Sequence, residues 1–285
     1  MLLLLKLIVA PGLVGAVTLA VRRWGPAVGG WLSGLPTVAG PVLVFLAVEQ
    51  GTAFAARASH ATLTGLIGTV AFTTVYAILS VRLPWAACLV IGWLAFAATA
   101  AVLYYLEPTL VVSLLGLFAA TLVSRRVLPR VESTPGPGAA PRGDLALRLA
   151  ATATLVVVLT AVANRLGPVL SGLINAFPVL TTVITAFTHA QRGSAATVTF
   201  VNGFVRAIMG FGSFCFALAV TVDRLGLGSG LTCALAAQFA VSGAILAYTT
   251  GPYQPMRYHC RQPVDRGSAG RDKGMASLES RRTDQ

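Results

Sequence analysis

The chain has 285 residues, 56% of them hydrophobic and only 11% charged, with a formal net charge of +12. Soluble domains carry about 25% charged residues, so this composition excludes an ordinary water-soluble fold; at roughly 20 residues per crossing, the length allows about 8–10 membrane spans. The cations gather at span ends and in the C-terminal tail, which assigns them to membrane orientation and anionic lipid and argues against nucleic acid as a partner.

Taken in chain order, apolar runs predict spans over 3–21, 27–48, 60–81, 85–105 and 108–124. The first could be read as a signal peptide, but Lys6 lies inside its apolar stretch and no charge precedes it. It is therefore taken as a retained span. A Pro-, Gly- and charge-rich linker follows, from Ser124 to Arg142. Further spans are expected over 145–163, 168–188, 197–222 and 229–250. The residues from 251 to 285 carry Arg257, Arg261, Arg266, Arg271, Lys273, Arg281 and Arg282 without apolar periodicity. They read as a disordered basic tail, either solvated or adhering to anionic headgroups. With nine spans, Arg22, Arg23, Arg82, the linker arginines, Arg192 and the tail share one side; only Lys6, Arg57, Arg165 and Arg224 fall on the other. The richer side should be cytoplasmic, leaving the N-terminus outside and the C-terminus inside.

The four cysteines, Cys88, Cys215, Cys233 and Cys260, have neither CxxC nor metal spacing, so they read as small packing residues and no metal or cofactor is expected.

The chain also repeats itself. A shift of 142 residues carries the segment from Arg23 to Gly51 onto the segment from Arg165 to Gly193 without a gap. Arg23/Arg165, Gly25/Gly167, Pro26/Pro168, Gly30/Gly172, Pro36/Pro178, Phe45/Phe187 and Gly51/Gly193 are identical pairs. One copy occupies 1–105 and the other 145–250, with a linking helix and polar cytoplasmic linker over 106–144. The odd span between the copies makes them enter the bilayer in opposite senses. The expected fold is thus all-α: nine transmembrane helices, two inverted four-helix repeats and one linking helix. Inverted repeats recur in transporters, where two equivalent halves give alternating access; the other reading is a duplication that only builds a stable bundle.

Each copy carries a helix interrupted by proline, at Pro36 and at Asn175–Pro178. Proline removes a backbone donor, and freed carbonyls are tolerated in a bilayer only inside protein or against a wet cavity. Paired breaks point to a substrate site; singly, each also reads as a packing kink. Pro36, Thr37, Asn175, Pro178, Thr181 and Thr182 are the candidate lining. Arg206, inside an apolar run, reads as an anchor for an anionic group or as a snorkelling cation. Glu49 and His60 are candidate coupling residues, or solvated helix ends. Gly143 and Asp144 are placed in the linker, outside the membrane. No HExxH, DDxxD, Ser–His or P-loop signature occurs, so the chain does not read as an enzyme or an ATP-driven pump.

The segments LSGLPTVAGPVLVFLAVEQG (32–51) and SGLINAFPVLTTVITAFTHAQRG (171–193) resemble the Gly- and Phe-Pro-centred block of small bacterial GlpM-type membrane proteins. Leu35 stands in the first copy where that block has phenylalanine. The resemblance implies four-span units of the bacterial inner membrane, here fused as two around an extra span. The residues together suggest a secondary transporter or exporter of a small or amphipathic metabolite. The alternative is a non-transporting scaffold or accessory subunit of envelope polysaccharide or lipid synthesis. Expected partners are membrane lipid, anionic lipid at the tail, a small-molecule substrate and a second copy of the chain as homodimer.

Overall fold

A computed structural model describes residues 2–36, 39–131, 143–158 and 177–249. Thr37, Asn175, most of the polar linker and the basic tail lie outside the described residues. Every regular element described is a helix, and no strand occurs among the described residues. They are α1 (Leu2–Trp24), α2 (Pro26–Ser33), α3 (Ala39–Gln50), α4 (Thr52–Leu79), α5 (Trp85–Leu106), α6 (Leu110–Val127), α7 (144–158) and α8 (Val179–Thr249). Gly193 and Gly226 have non-helical backbone angles and divide α8 into α8a (179–192), α8b (194–225) and α8c (227–249).

Four stretches are long and apolar enough to cross a membrane: Thr52–Leu79, Trp85–Leu106, Leu110–Val127 and the bent Val179–Ala247. Their outer faces expose Leu94, Leu115, Phe118 and Phe239 at 56–69% of full accessibility. Such surfaces suit lipid contact, so several apolar helices fit a membrane protein. Trp24 and Trp85, at helix ends, are also exposed, as interface aromatics are. The described helices differ in number from the nine expected spans. The expected second span is two short helices, α2 and α3, because Gly34 and Pro36 interrupt it. The expected seventh, eighth and ninth run together through α8.

Local chemistry explains the boundaries. Pro26 opens α2 at its first turn, where its fixed φ and missing N–H cost nothing. Thr109 caps α6, its hydroxyl accepting from the Val112 N–H at 3.5 Å. Gly51 (φ 89°, ψ 164°) separates α3 from α4, and Gly193 (φ 78°, ψ −176°) separates α8a from α8b. This conformation is essentially restricted to glycine, and the two glycines are 142 residues apart. The same shift carries the starts of α4 and α5 onto those of α8b and α8c, and the start of α1 onto that of α7.

α4 and α8b form the centre and run antiparallel. Thr52, the first residue of α4, donates from Oγ1 to Asp223 Oδ1 near the end of α8b at 3.0 Å. At the other end of α4, the Tyr76 hydroxyl lies 3.4 Å from Nδ1 of His189, just before α8b begins. Leu63, Leu66, Phe200, Phe204, Ile208 and Phe214 fill the core between and around them. α2 lies directly on α8b: a Cβ at Gly30 would overlap the Phe200 carbonyl oxygen, and one at Gly203 the Ala27 carbonyl oxygen. Small residues allow such backbone contact between helices in membranes. Glycines also seat the outer helices. Gly68 of α4 accepts Phe96 of α5, with 3.1 Å from its ideal Cβ to Cδ2. Gly210 of α8b accepts Gln238 of α8c, with 2.6 Å to Nε2. Both pairs obey the 142-residue register.

Candidate functional site

The break after α2 shapes a groove. Gly34 presses on α8b, a Cβ there falling 2.6 Å from Ala207 Cβ, and the chain then turns outward through Pro36. Pro36, Gly40, Val44 and Phe45 face Phe214 of α8b and Leu231 and Leu235 of α8c across a cavity of about 500 Å³. Its lining is almost wholly apolar; it can hold hydrocarbon but offers no side-chain group to fix a charge.

The shift carries Pro36 to Pro178, Phe45 to Phe187, Phe214 to Phe72 and Leu231 to Leu89, all identical in type. It carries Leu235 to Trp93 and Gly40 to Thr182. Of these, Phe72, Leu89 and Trp93 belong to a second apolar cluster on α4 and α5, where Phe72, Cys88 and Phe96 are buried and Leu89, Trp93 and Phe177 pack against them; Phe187 instead packs on the main core and beneath Arg148. Trp93 lies 5.7 Å from Phe177, centroid to centroid, and Phe96 lies 5.4 Å from it on another side. The Trp93 indole N–H reaches Thr182 Oγ1 at 3.4 Å. The indole and the Thr182 side chain thus stand at positions where the groove has Leu235 and a glycine without a side chain.

The remaining candidates are distributed. Pro36 lines the groove, while Pro178 is buried at the start of α8a. Thr181 donates to the Pro178 carbonyl at 3.1 Å, satisfying an acceptor at the break. Arg206 is exposed on α8b, beside the Ala207 that meets Gly34. His60 Nε2 lies 3.3 Å from Ser113 Oγ of α6, which also bonds Thr64 at 2.9 Å. Glu49 is exposed at the end of α3, and no hydrogen bond or ion pair joins it to His60. Among the described residues no group of three His, Cys, Asp or Glu could hold a metal.

The structure corrects the placement of Asp144. It is 2% exposed and opens α7. Arg22 Nη2 reaches its Oδ2 at 2.6 Å, Arg148 Nε donates to both oxygens at 3.0 and 2.9 Å, and Gln191 Nε2 donates to Oδ1. Burial pushes the carboxyl upward, but the hydrogen bonds from Gln191, Arg22 and Arg148 outweigh it and hold it below the usual range. Sequence patterning misses this because Asp144 adjoins a polar linker and its partners lie 122 and 47 residues away. One signal was available: the register places Arg148 opposite Lys6, so both first helices carry a cation at the same position.

Comparison of the chain with protein-family models, curated proteins and solved structures gives no match.

Proposed function

We propose that the chain is a secondary transporter of an amphipathic metabolite in the bacterial inner membrane. It crosses nine times as two inverted four-helix repeats around α6, with the N-terminus outside. The reading is supported by the common register of helix starts and of Gly51 and Gly193. It is supported also by the antiparallel course of α4 and α8b, since equivalent helices of inverted copies run in opposite senses. The GlpM-type resemblance fits four-span units of this kind.

The observation that carries the transport reading is the unequal state of two equivalent places. The groove at Pro36 is open, and its counterpart at Pro178 is filled by Trp93. Alternating access exchanges two such states by moving one repeat against the other. The apolar lining suits the hydrocarbon part of a substrate, and Arg206, beside the break, is the candidate anchor for an anionic part. Glu49 and His60 remain the candidates for proton coupling.

Spin labels test this reading. Label pairs at Val48 and Leu235 and at Ala190 and Val90 report the two places separately. Two anticorrelated distance populations are expected, with Trp93→Ala favouring the state open at Pro178. One fixed distance at each place, unchanged in Trp93→Ala, would rule out the exchange.

A further inference from the structure

The Asp144 cluster is larger than an ion pair needs to be. It joins the end of α1, the start of α7 and the end of α8a. Arg22 and Arg148 bond one carboxylate, and Arg192 stands near enough to feel its charge. The cluster therefore has a formal excess of two positive charges. Arg148 is 4% exposed, stacked 4.9 Å above the Phe187 ring, and its Nη2 donates to Gln191 Oε1 at 3.0 Å. Its Nη1 is buried with no hydrogen-bond partner among the described residues. Among the described residues, the one hydrogen-bond partner of Arg192 is the Val21 carbonyl, at 3.4 Å. A buried guanidinium N–H without an acceptor is costly, and neighbouring guanidinium groups repel one another. Tying α1, α7 and α8a together takes Asp144, Arg22, Arg148 and Gln191; it needs neither Arg192 nor the free Arg148 Nη1.

We propose that this cluster is a binding site for a tetrahedral oxyanion of the phosphate class, which accepts from Arg148 Nη1 and Arg192 while Asp144 fixes Arg148 and Arg22 in place. Guanidinium forks match phosphate oxygens in geometry and in charge. The site is one-sided. The register puts Lys6, Glu49 and Gln50 where Arg148, Gln191 and Arg192 stand, and Leu2 where Asp144 stands. That set has no positive excess. The phosphate can belong to a lipid headgroup or to a free phosphate-bearing molecule; the chemistry of recognition is the same.

The test uses the full chain in nanodiscs. Calorimetric titration with inorganic phosphate in phosphatidylcholine discs probes the free anion. Lipid mass spectrometry after purification from mixed phosphatidylglycerol and phosphatidylcholine probes the headgroup. Arg148→Lys keeps the charge and loses the fork. Arg192→Gln leaves every bond to Asp144 intact and so keeps the test valid if Arg148→Lys misfolds. Arg57→Gln, exposed on α4, is the control. Phosphate binding weakened at least ten-fold in Arg192→Gln, and unchanged in Arg57→Gln, would establish the site with a free anion. Phosphatidylglycerol enrichment lost in Arg192→Gln, without phosphate binding, would establish it with a headgroup. Neither ligand binding to the wild-type chain, or binding equal in wild type and Arg192→Gln, would overturn the proposal.

Discussion

Trp93 and Thr182 illustrate how far one residue pair can set the state of a place. Around Pro36 and around Pro178 the register supplies the same proline and the same phenylalanines, whereas Leu235/Trp93, Gly40/Thr182 and Pro41/Val183 differ in kind and Val44/Ala186 and Val48/Ala190 in size. Trp93→Ala should leave a void beside Phe177 and Phe96 and lower stability by about 3–5 kcal/mol, read as a fall in thermal midpoint in detergent. Leu235→Trp should partly fill the groove at Pro36 and reduce its labelling by a lipophilic photoprobe. Asp144 gives a pH prediction. Its carboxyl titrates lower in the folded chain than in the unfolded one. The stability it contributes is therefore complete above the ordinary carboxylate pKa of about 4 and is lost as pH falls through the lower folded value. Thermal midpoints of wild type should fall over that acidic window. Those of Asp144→Asn should not show this component, and should already be lower at neutral pH by the equivalent of about 3–5 kcal/mol, because Arg148 loses its buried partner.

Among the elements, two kinds of glycine differ in how a substitution's cost depends on side-chain size. Gly51 and Gly193 have open space where a side chain would go, but their positive φ penalises any side chain. Gly51→Ala and Gly193→Ala should each cost about 1–3 kcal/mol through backbone strain. Gly30 and Gly203 have helical backbones, but a Cβ there meets the backbone of the facing helix. Gly203→Val should separate α2 from α8b and cost more than Gly203→Ala, whereas the Gly51 and Gly193 variants should be nearly insensitive to side-chain size. Thermal unfolding of the Ala and Val variants at Gly51, Gly193 and Gly203 distinguishes the two mechanisms. The sequence shows the first kind well, because a helix-breaking glycine recurs at the same point of both copies. It does not show the second, because the backbone that Gly203 touches lies far away in the chain. Apolar runs likewise show where α4, α5 and α6 lie, but not that α2 and α3 are separate short helices, α2 held against α8b and α3 against α4.

At the scale of the whole molecule, the long apolar runs in a chain of 56% hydrophobic residues point to helices, and the described apolar helices fit a membrane protein. The recurrence of Gly, Pro and Arg in an ungapped 142-residue register is legible too. The unlike surroundings of the matched prolines are less so. Pro36 and Pro178 look equivalent as letters, yet one lines an open groove and the other is buried, a difference that follows Trp93 of α5 against Leu235 of α8c as well as Thr182 against Gly40 beside the prolines. The Asp144 cluster likewise depends on three helices meeting.

The central claim is that the two copies are inserted in opposite senses. It is tested most directly by single cysteines at Arg23 and Arg165 in a chain whose four native cysteines are replaced, labelled with an impermeant maleimide from either side of the membrane. The account predicts that the two positions label from opposite sides. Labelling of both from the same side would contradict it.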